Sequence, residues 1–404
     1  MRKLLITGFI VILLSLGHVH ASSVFSSGGI GIDVSNQSAR ADGLGGADIA
    51  YSDSVYFPLD NPAGWISAGY TRITMTTAAF SATAKDASGK DTNGDLTFPH
   101  GAISIPIYKS LTLGLAYSTV KDYRYLTYNY TQFAPTIPYD TSVTEYTVTN
   151  RLQGEGGLSK VSAVTAGKIL KNVAVGAALD YYFGNTEDLI TKDGVSERTG
   201  QYIKNKFEGV GFRGGLLVNL NEKLTLAGTL TLPAELRISR TKVVQGGDSL
   251  SLGSGTYDLP MSFSIGGSYN LERWRASAEF EMNMWKDGTH DFINAEEYAN
   301  ANKIGFGIER LPNRSPIASR WDKITYRAGL HRDSHYVYLG GNELVTQGIS
   351  LGIGLPIRYY PGVLDFSFTL DFRGSQADNK ASETIYGFKL SFSSAEKWFV
   401  KRKR

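Results

Sequence analysis

Gly348-Ile349-Ser350-Leu351-Gly352 spells the glycine-flanked serine of a hydrolase nucleophile elbow. An elbow needs a strand that turns sharply into a helix, because only that strained turn exposes the serine oxygen. Here Ile349, Leu351, Ile353 and Leu355 alternate straight through the motif, so Ser350 reads as a small inward residue on an unbroken strand. His331 and His335 have the spacing of a helical zinc pair, with Asp333 between them as a third ligand, but no helical periodicity surrounds them. Asp91-Thr92-Asn93-Gly94-Asp95 begins like a calcium loop, yet Ala102 stands where the closing glutamate belongs. Gly43-Leu44-Gly45-Gly46 lacks the preceding hydrophobic strand of a dinucleotide site. The absence of cysteine excludes thiol catalysis and thiolate metal sites. No enzyme activity, cofactor or metal site is expected.

Charges that share one parity along a strand say more. Trp274, Ala276, Ala278, Phe280, Met282 and Met284 alternate with Arg275, Ser277, Glu279, Glu281 and Asn283. Two acids two residues apart on one face suit acid–base work, whereas opposite charges on facing walls suit pairing across an interior. Asp365, Asp371, Arg373, Lys389 and Arg327 fall on inward faces by the same parity. An inward guanidinium or ammonium beside apolar surface would hold a carboxylate head group. Arg327, Arg373 and Lys389 are the candidates for that role.

The elements that position these residues follow from the same alternation. Successive strand side chains point to opposite faces, so Leu111, Leu113, Leu115 and Tyr117 share a greasy face, as do Leu364, Phe366, Phe368, Leu370 and Phe372. Repeated down the chain, this is the pattern of an all-β, antiparallel transmembrane barrel with lipid outside and a polar lumen. Arg2 and Lys3, the apolar run Leu4 to Leu16, and Val19-His20-Ala21 read as a secretory signal peptide, residues 1–21. No later stretch has the roughly 18 apolar residues of a spanning helix. The formal net charge of +3 excludes a bulk nucleic-acid footprint.

Thirteen segments alternate clearly, and an even number is needed to bring both chain ends to the same side. Short turns and long polar loops trade places along the chain, and the rhythm breaks unless another strand lies within 286–323. Ile304, Phe306 and Ile308, alternating with Gly305, Gly307 and Glu309, supply it and make fourteen. Residues 121–158, 185–203, 233–260 and 286–302 are expected as outward loops, with Tyr123, Tyr125, Tyr128 and Tyr130 suited to the headgroup level. Residues 22–67 differ from the rest: small, glycine-rich, without alternation, and ending in Asn61-Pro62-Ala63-Gly64-Trp65. Such a segment ahead of a barrel is a candidate plug, or hatch, in the lumen. The barrel is expected over 68–394 and a basic tail over 395–404.

Three places carry a family resemblance. Ser38-Ala39-Arg40-Ala41 through Asp53 to Asn61-Pro62-Ala63-Gly64, Leu259-Pro260 leading to Trp285, and Tyr326-Arg327-Ala328-Gly329-Leu330 with Gly348 to Pro356 resemble the FadL family. These are outer-membrane channels for long-chain fatty acids and other hydrophobic compounds. The resemblance implies a fourteen-stranded barrel plugged by its N-terminus, in agreement with the count above. It implies a Sec-exported monomer of the bacterial outer membrane, delivered by the assembly machinery, that passes hydrophobic ligands by plug rearrangement or a lateral opening. Divergent relatives include shuttle components of protein secretion. The rival expectation is therefore a non-transporting barrel that anchors or carries exported proteins. An apolar lumen would favour the first, and a polar, salt-bridged one the second.

Overall fold

The computed structural model describes residues 23–35, 37–66, 69–108, 110–133, 146–193, 199–244, 249–293, 297–313, 315, 317–357 and 361–398. The signal-peptide reading, and the tail beyond Trp398, lie outside them. Antiparallel ladders link every neighbouring strand and the last, Ala381–Glu396, pairs with the first, Thr71–Asp86, closing a fourteen-stranded barrel.

Eleven strands are single segments: after the first come Lys90–Tyr108, Tyr146–Leu170, Val173–Asp193, Thr199–Asn219, Trp274–Met284, Ala301–Arg310, Thr325–Leu339, Asn342–Pro356, Gly362–Arg373 and the last. Three are broken in two. The third runs Leu111–Asp122 and Tyr125–Phe133, the seventh Leu224–Thr231 and Ala234–Val244, the eighth Ser249–Leu259 and Met261–Leu271. Proline causes two of the breaks, since it has no N–H for the ladder. Pairing stops at Thr231↔Ser262 and resumes at Ala234↔Leu259, so Pro233 and Pro260 lie in the same gap of the wall.

Residues 301–310 form the strand that parity demanded. Phe306 (55% exposed) and Ile308 (45%) face outward, while Glu309 (3%) is buried inside. The outward face of the whole wall is a belt of exposed apolar side chains, among them Leu115, Tyr181, Phe212, Ile265, Leu330, Leu351 and Phe388. A continuous belt of this kind requires lipid rather than water around it.

The outward loops are corrected. Residues 125–133, 146–158, 185–193, 199–203, 234–244 and 249–259 belong to ladders that carry strands three to eight far above the belt. The 25-residue fourth strand is about 80 Å long, against about 33 Å for the ten-residue tenth strand. Pairing needs only backbone groups and β-formers, so a strand continues after its apolar face ends. The girdle of tyrosines is corrected too. Tyr123 and Tyr125 are buried edge-to-face and both donate hydrogen bonds to Asp188, at 2.9 and 2.8 Å. Tyr128 is exposed; the side chain of Tyr130 lies outside the described residues.

Candidate functional site

Inside the wall, Ile32–Asp33 pairs with Lys121–Asp122 of strand three, and residues 37–66 then pass the strands in reverse order. Ser23 donates to Glu383 on strand fourteen, and Ala39 donates its N–H to Ser391 of the same strand. Asp42 accepts from Ser367 on thirteen, and Gly45 donates to Ser350 on twelve. Glu279 on nine accepts the N–H groups of Asp48 and Ile49, and Ser268 on eight donates to the Ala50 carbonyl. Asn61 donates to the Leu216 carbonyl on six, and Ser104 on two donates to the Trp65 carbonyl.

Small residues make this path fit. A Cβ on Gly329 would lie 2.1 Å from the Gly45 nitrogen, one on Gly305 2.3 Å from the Gly45 oxygen, and one on Gly307 2.5 Å from the Leu44 oxygen. Across the lumen a Cβ on Gly176 would meet the Pro62 backbone at 2.3 Å, and one on Gly215 the Asn61 oxygen at 2.2 Å. The Asn61-Pro62-Ala63-Gly64 motif is thus seated by its backbone on strand five and by the Asn61 amide and Pro62 ring on strand six. Asn61 caps the short 3-10 turn Pro62–Trp65 by accepting from the Ala63 N–H at 2.9 Å, and donates to the Ile49 carbonyl at 3.1 Å. Trp65, fully buried, packs edge-to-face on Phe57 amid inward alanines. Ser350, the serine of the elbow-like motif, is buried under Gly45 on a straight strand.

A buried ionic web crosses the same region. Glu309 meets Arg327 at 2.8 Å, Arg275 at 2.9 Å and the hatch residue Arg40 at 3.3 Å. Arg40 also pairs with Asp48, and Arg327 with Asp365 at 2.6 Å. Arg72 binds the hatch carbonyls of Asp53, Tyr56 and Trp65. Each proposed head-group cation already has a carboxylate. Arg327 has Glu309 and Asp365, Arg373 has Glu383 at 3.1 Å, and Lys389 has Asp42 at 2.7 Å. Parity correctly turned all three inward, and what they hold is the hatch and the wall. Glu309 and Arg40, which organise the web, were not singled out as its centre; the alternation signal marks Glu309 as inward but cannot name its partners.

The outward end of the lumen is roofed by residues 285–293 and 297–300. Trp285 stacks on Tyr336 with ring centroids 4.3 Å apart, and His290 stacks on Tyr298 at 3.8 Å. Tyr257 joins His290 at 4.8 Å, with Phe207, Leu236, Ile238 and Leu158 beneath. The first hatch residues are pinned below this roof, for Tyr336 donates to the Gly31 carbonyl at 2.6 Å. Lys121 lies 3.7 Å from the Tyr336 ring centroid and 2.8 Å from Asp33.

Between roof and hatch remains a cavity of about 330 Å³. Asp33, Lys121, Lys160, Arg213, Glu281 and Lys303 are among its walls, and His331, Asp333, Asp371 and Arg373 add to the charge. The zinc-like pair is split between separate partners: His331 lies 3.3 Å from Asp371, and His335 lies 2.8 Å from the Thr346 hydroxyl. Val34, Val120, Tyr182, Leu259 and Trp285 are among its walls too, so charged and apolar surfaces meet there, and an apolar guest would have to desolvate the charges beside it.

A family model described as BamG matches residues 1–404. Two crystal structures of the Pseudomonas putida toluene transporter TodX share the fold. One is 12% identical, with a TM-score of 0.55, over 89% of this chain and 98% of that one. The other is 13% identical, with a TM-score of 0.54, over 93% of this chain and 100% of that one. No curated protein matches the sequence.

Proposed function

The chain belongs to the BamG family, and from that premise and its hatch-filled, salt-bridged lumen we propose an outer-membrane barrel that serves exported proteins as an anchor or carrier rather than as an open channel. The observation that carries this reading is the hatch tied strand by strand to the wall, with Glu309 shared among Arg40, Arg275 and Arg327, beneath a chamber with many acidic and basic side chains in its walls. A hatch hydrogen-bonded to strand after strand is built to stay. Its Arg40 pairs with Asp48 and with Glu309 of the wall, and removing either partner would leave a buried charge short of its counter-ion. The part of the molecule left for recognition is the tall wall of strands three to eight.

A second reading, a passive channel for hydrophobic small molecules, is favoured by one feature of the wall. At Pro233 and Pro260 the ladder is interrupted, and Leu259, Pro260, Thr231 and Ser262 behind it line the chamber. An apolar solute leaving sideways there would avoid an aqueous pore. Long-chain fatty acids are the finer version of this reading, and they would need a cation released from its carboxylate.

Purified protein in proteoliposomes separates the two. The platform reading expects no toluene flux above that of protein-free vesicles, no saturable oleate binding, and no conductance in planar bilayers. Saturable oleate binding or toluene flux by a folded barrel would overturn it in favour of the channel.

A further inference from the structure

The wall that rises above the apolar belt is an open sheet of six strand segments, and its two edges are treated differently. At one end, Ser249–Leu259 is partly covered by the chain itself. Asp258 donates to the Thr289 carbonyl and Asp291 to the Thr256 carbonyl, both at 2.9 Å, with a bridge between Tyr257 and His290. An extended segment has been added to the sheet.

At the other end, Tyr125–Phe133 pairs along its whole length with Tyr146–Gly154 on one side. Among the described residues no strand pairs with its other side, although Val24–Ser27 of the hatch packs against this strand and the Ser23 N–H donates to the Arg124 carbonyl at 3.4 Å. Lys90–Thr97, the nearest in chain order around the barrel, pairs only with the first strand at that height. Natural sheets blunt such an edge with lysine, proline, inward charge or a covering loop. Tyr125-Leu126-Thr127-Tyr128-Asn129-Tyr130-Thr131-Gln132-Phe133 has no charge and no proline, and is rich in strand-forming types.

We propose that this free edge is a docking site for an extended segment of an exported partner protein, added as a further strand. The inference deepens the anchor-or-carrier reading and rests on it. A strand edge with no ladder partner among the described residues offers N–H and C=O groups at strand spacing, complementary to polypeptide backbone and to little else. The opposite edge of the same wall accepts a segment in this manner.

The test uses the full mature chain and a fluorescent peptide copying Tyr146–Gly154, the strand to which Tyr125–Phe133 already pairs. A second peptide carries N-methyl groups on alternate residues. Proline is placed singly at Leu126, Thr127 and Tyr128, and heat-resistant migration reports that the barrel is intact. The expected result is saturable binding, at least tenfold weaker for the N-methylated peptide and for a folded proline variant. In native membranes, a photo-crosslinker at Thr127 should give an adduct with a different polypeptide that the same proline removes and the unmodified peptide competes away. Equal binding of both peptides, no binding, or an adduct with the mass of two copies of this chain would each overturn the proposal. Those outcomes with impermeable proteoliposomes refute only strand docking, whereas toluene flux or oleate binding refutes the platform reading beneath it.

Discussion

The floor and the roof of the lumen are held by different physics. The floor is close packing, with Leu44, Gly45, Asn61 and Pro62 set into inward glycines, and it is riveted by Glu309 with three arginines. The roof is residues 285–293 and 297–300, whose rings stack on Tyr257 and Tyr336. Opening the floor requires moving a segment bonded to strands all around the barrel and leaving buried charges unpaired. Opening the roof requires separating aromatic pairs worth about 0.5–1.5 kcal/mol each beyond their burial. The difference makes the floor a structural member and the roof the softer end.

The largest effect tests whether the floor is the seal. Deleting residues 24–60 removes Arg40 and the Asp48 and Ile49 anchors but leaves every barrel ladder. A heat-resistant barrel with strongly raised conductance in planar bilayers is expected. Unchanged conductance would place the seal at the roof and break the comparison.

Next comes Glu309→Gln, which withdraws the charge shared by Arg40, Arg275 and Arg327. Removing one partner of a buried ionic group costs about 3–5 kcal/mol, so thermal migration assays should show a clear loss of stability. Glu222→Gln, at an exposed turn, is the control and should change nothing measurable. Equal stability of the two variants would mean that the web does not hold the floor.

Two adjacent glycines give a finer test. A Cβ at Gly215 would lie 2.2 Å from the Asn61 oxygen, whereas one at Gly214 meets nothing within 4 Å. Gly215→Ala should therefore cost about 1–3 kcal/mol by overpacking the hatch, and Gly214→Ala next to nothing. Thermal unfolding of both, followed by intrinsic fluorescence, reads the difference.

Much of this was legible in the chain, and the rest was not for identifiable reasons. Period-two alternation survives in any lipid-facing strand, so even the inconspicuous Ile304-Gly305-Phe306-Gly307-Ile308 could be placed and Glu309 turned inward. Which carboxylate Arg327 meets is set by strand order and by where the hatch crosses, information no local pattern carries. Above the membrane the outward row turns polar, as Glu235, Arg237 and Ser239 show, and Tyr125–Phe133 and Ala234–Val244 therefore read as loops although they are ladders. The roof escaped because its rings at Phe207, Tyr257, Trp285, His290, Tyr298 and Tyr336 come from scattered positions with no spacing in common.

The smallest expected effect is at the roof, and it is a pH effect. The His290 ring lies flat on Tyr298 and edge-on to Tyr257, and its Nε2 is buried without a hydrogen-bond partner. Burial holds its pKa below the ordinary 6.5, with the nearby Asp258 opposing only in part. A histidine with a depressed pKa in the closed form takes up its proton more readily once released. The closed roof is therefore fully favoured above about pH 6.5 and loses ground as pH falls through that value. Hydrogen exchange across 286–293 should become modestly faster at about pH 5.5 than at about pH 7.5, after correction for the intrinsic rate. His290→Phe keeps the ring stack without the titrating nitrogen and should flatten that dependence. Exchange that accelerates equally in the variant would remove His290 from the roof's pH response, while acceleration in the hatch peptides would show that the floor, not the roof, is the softer end.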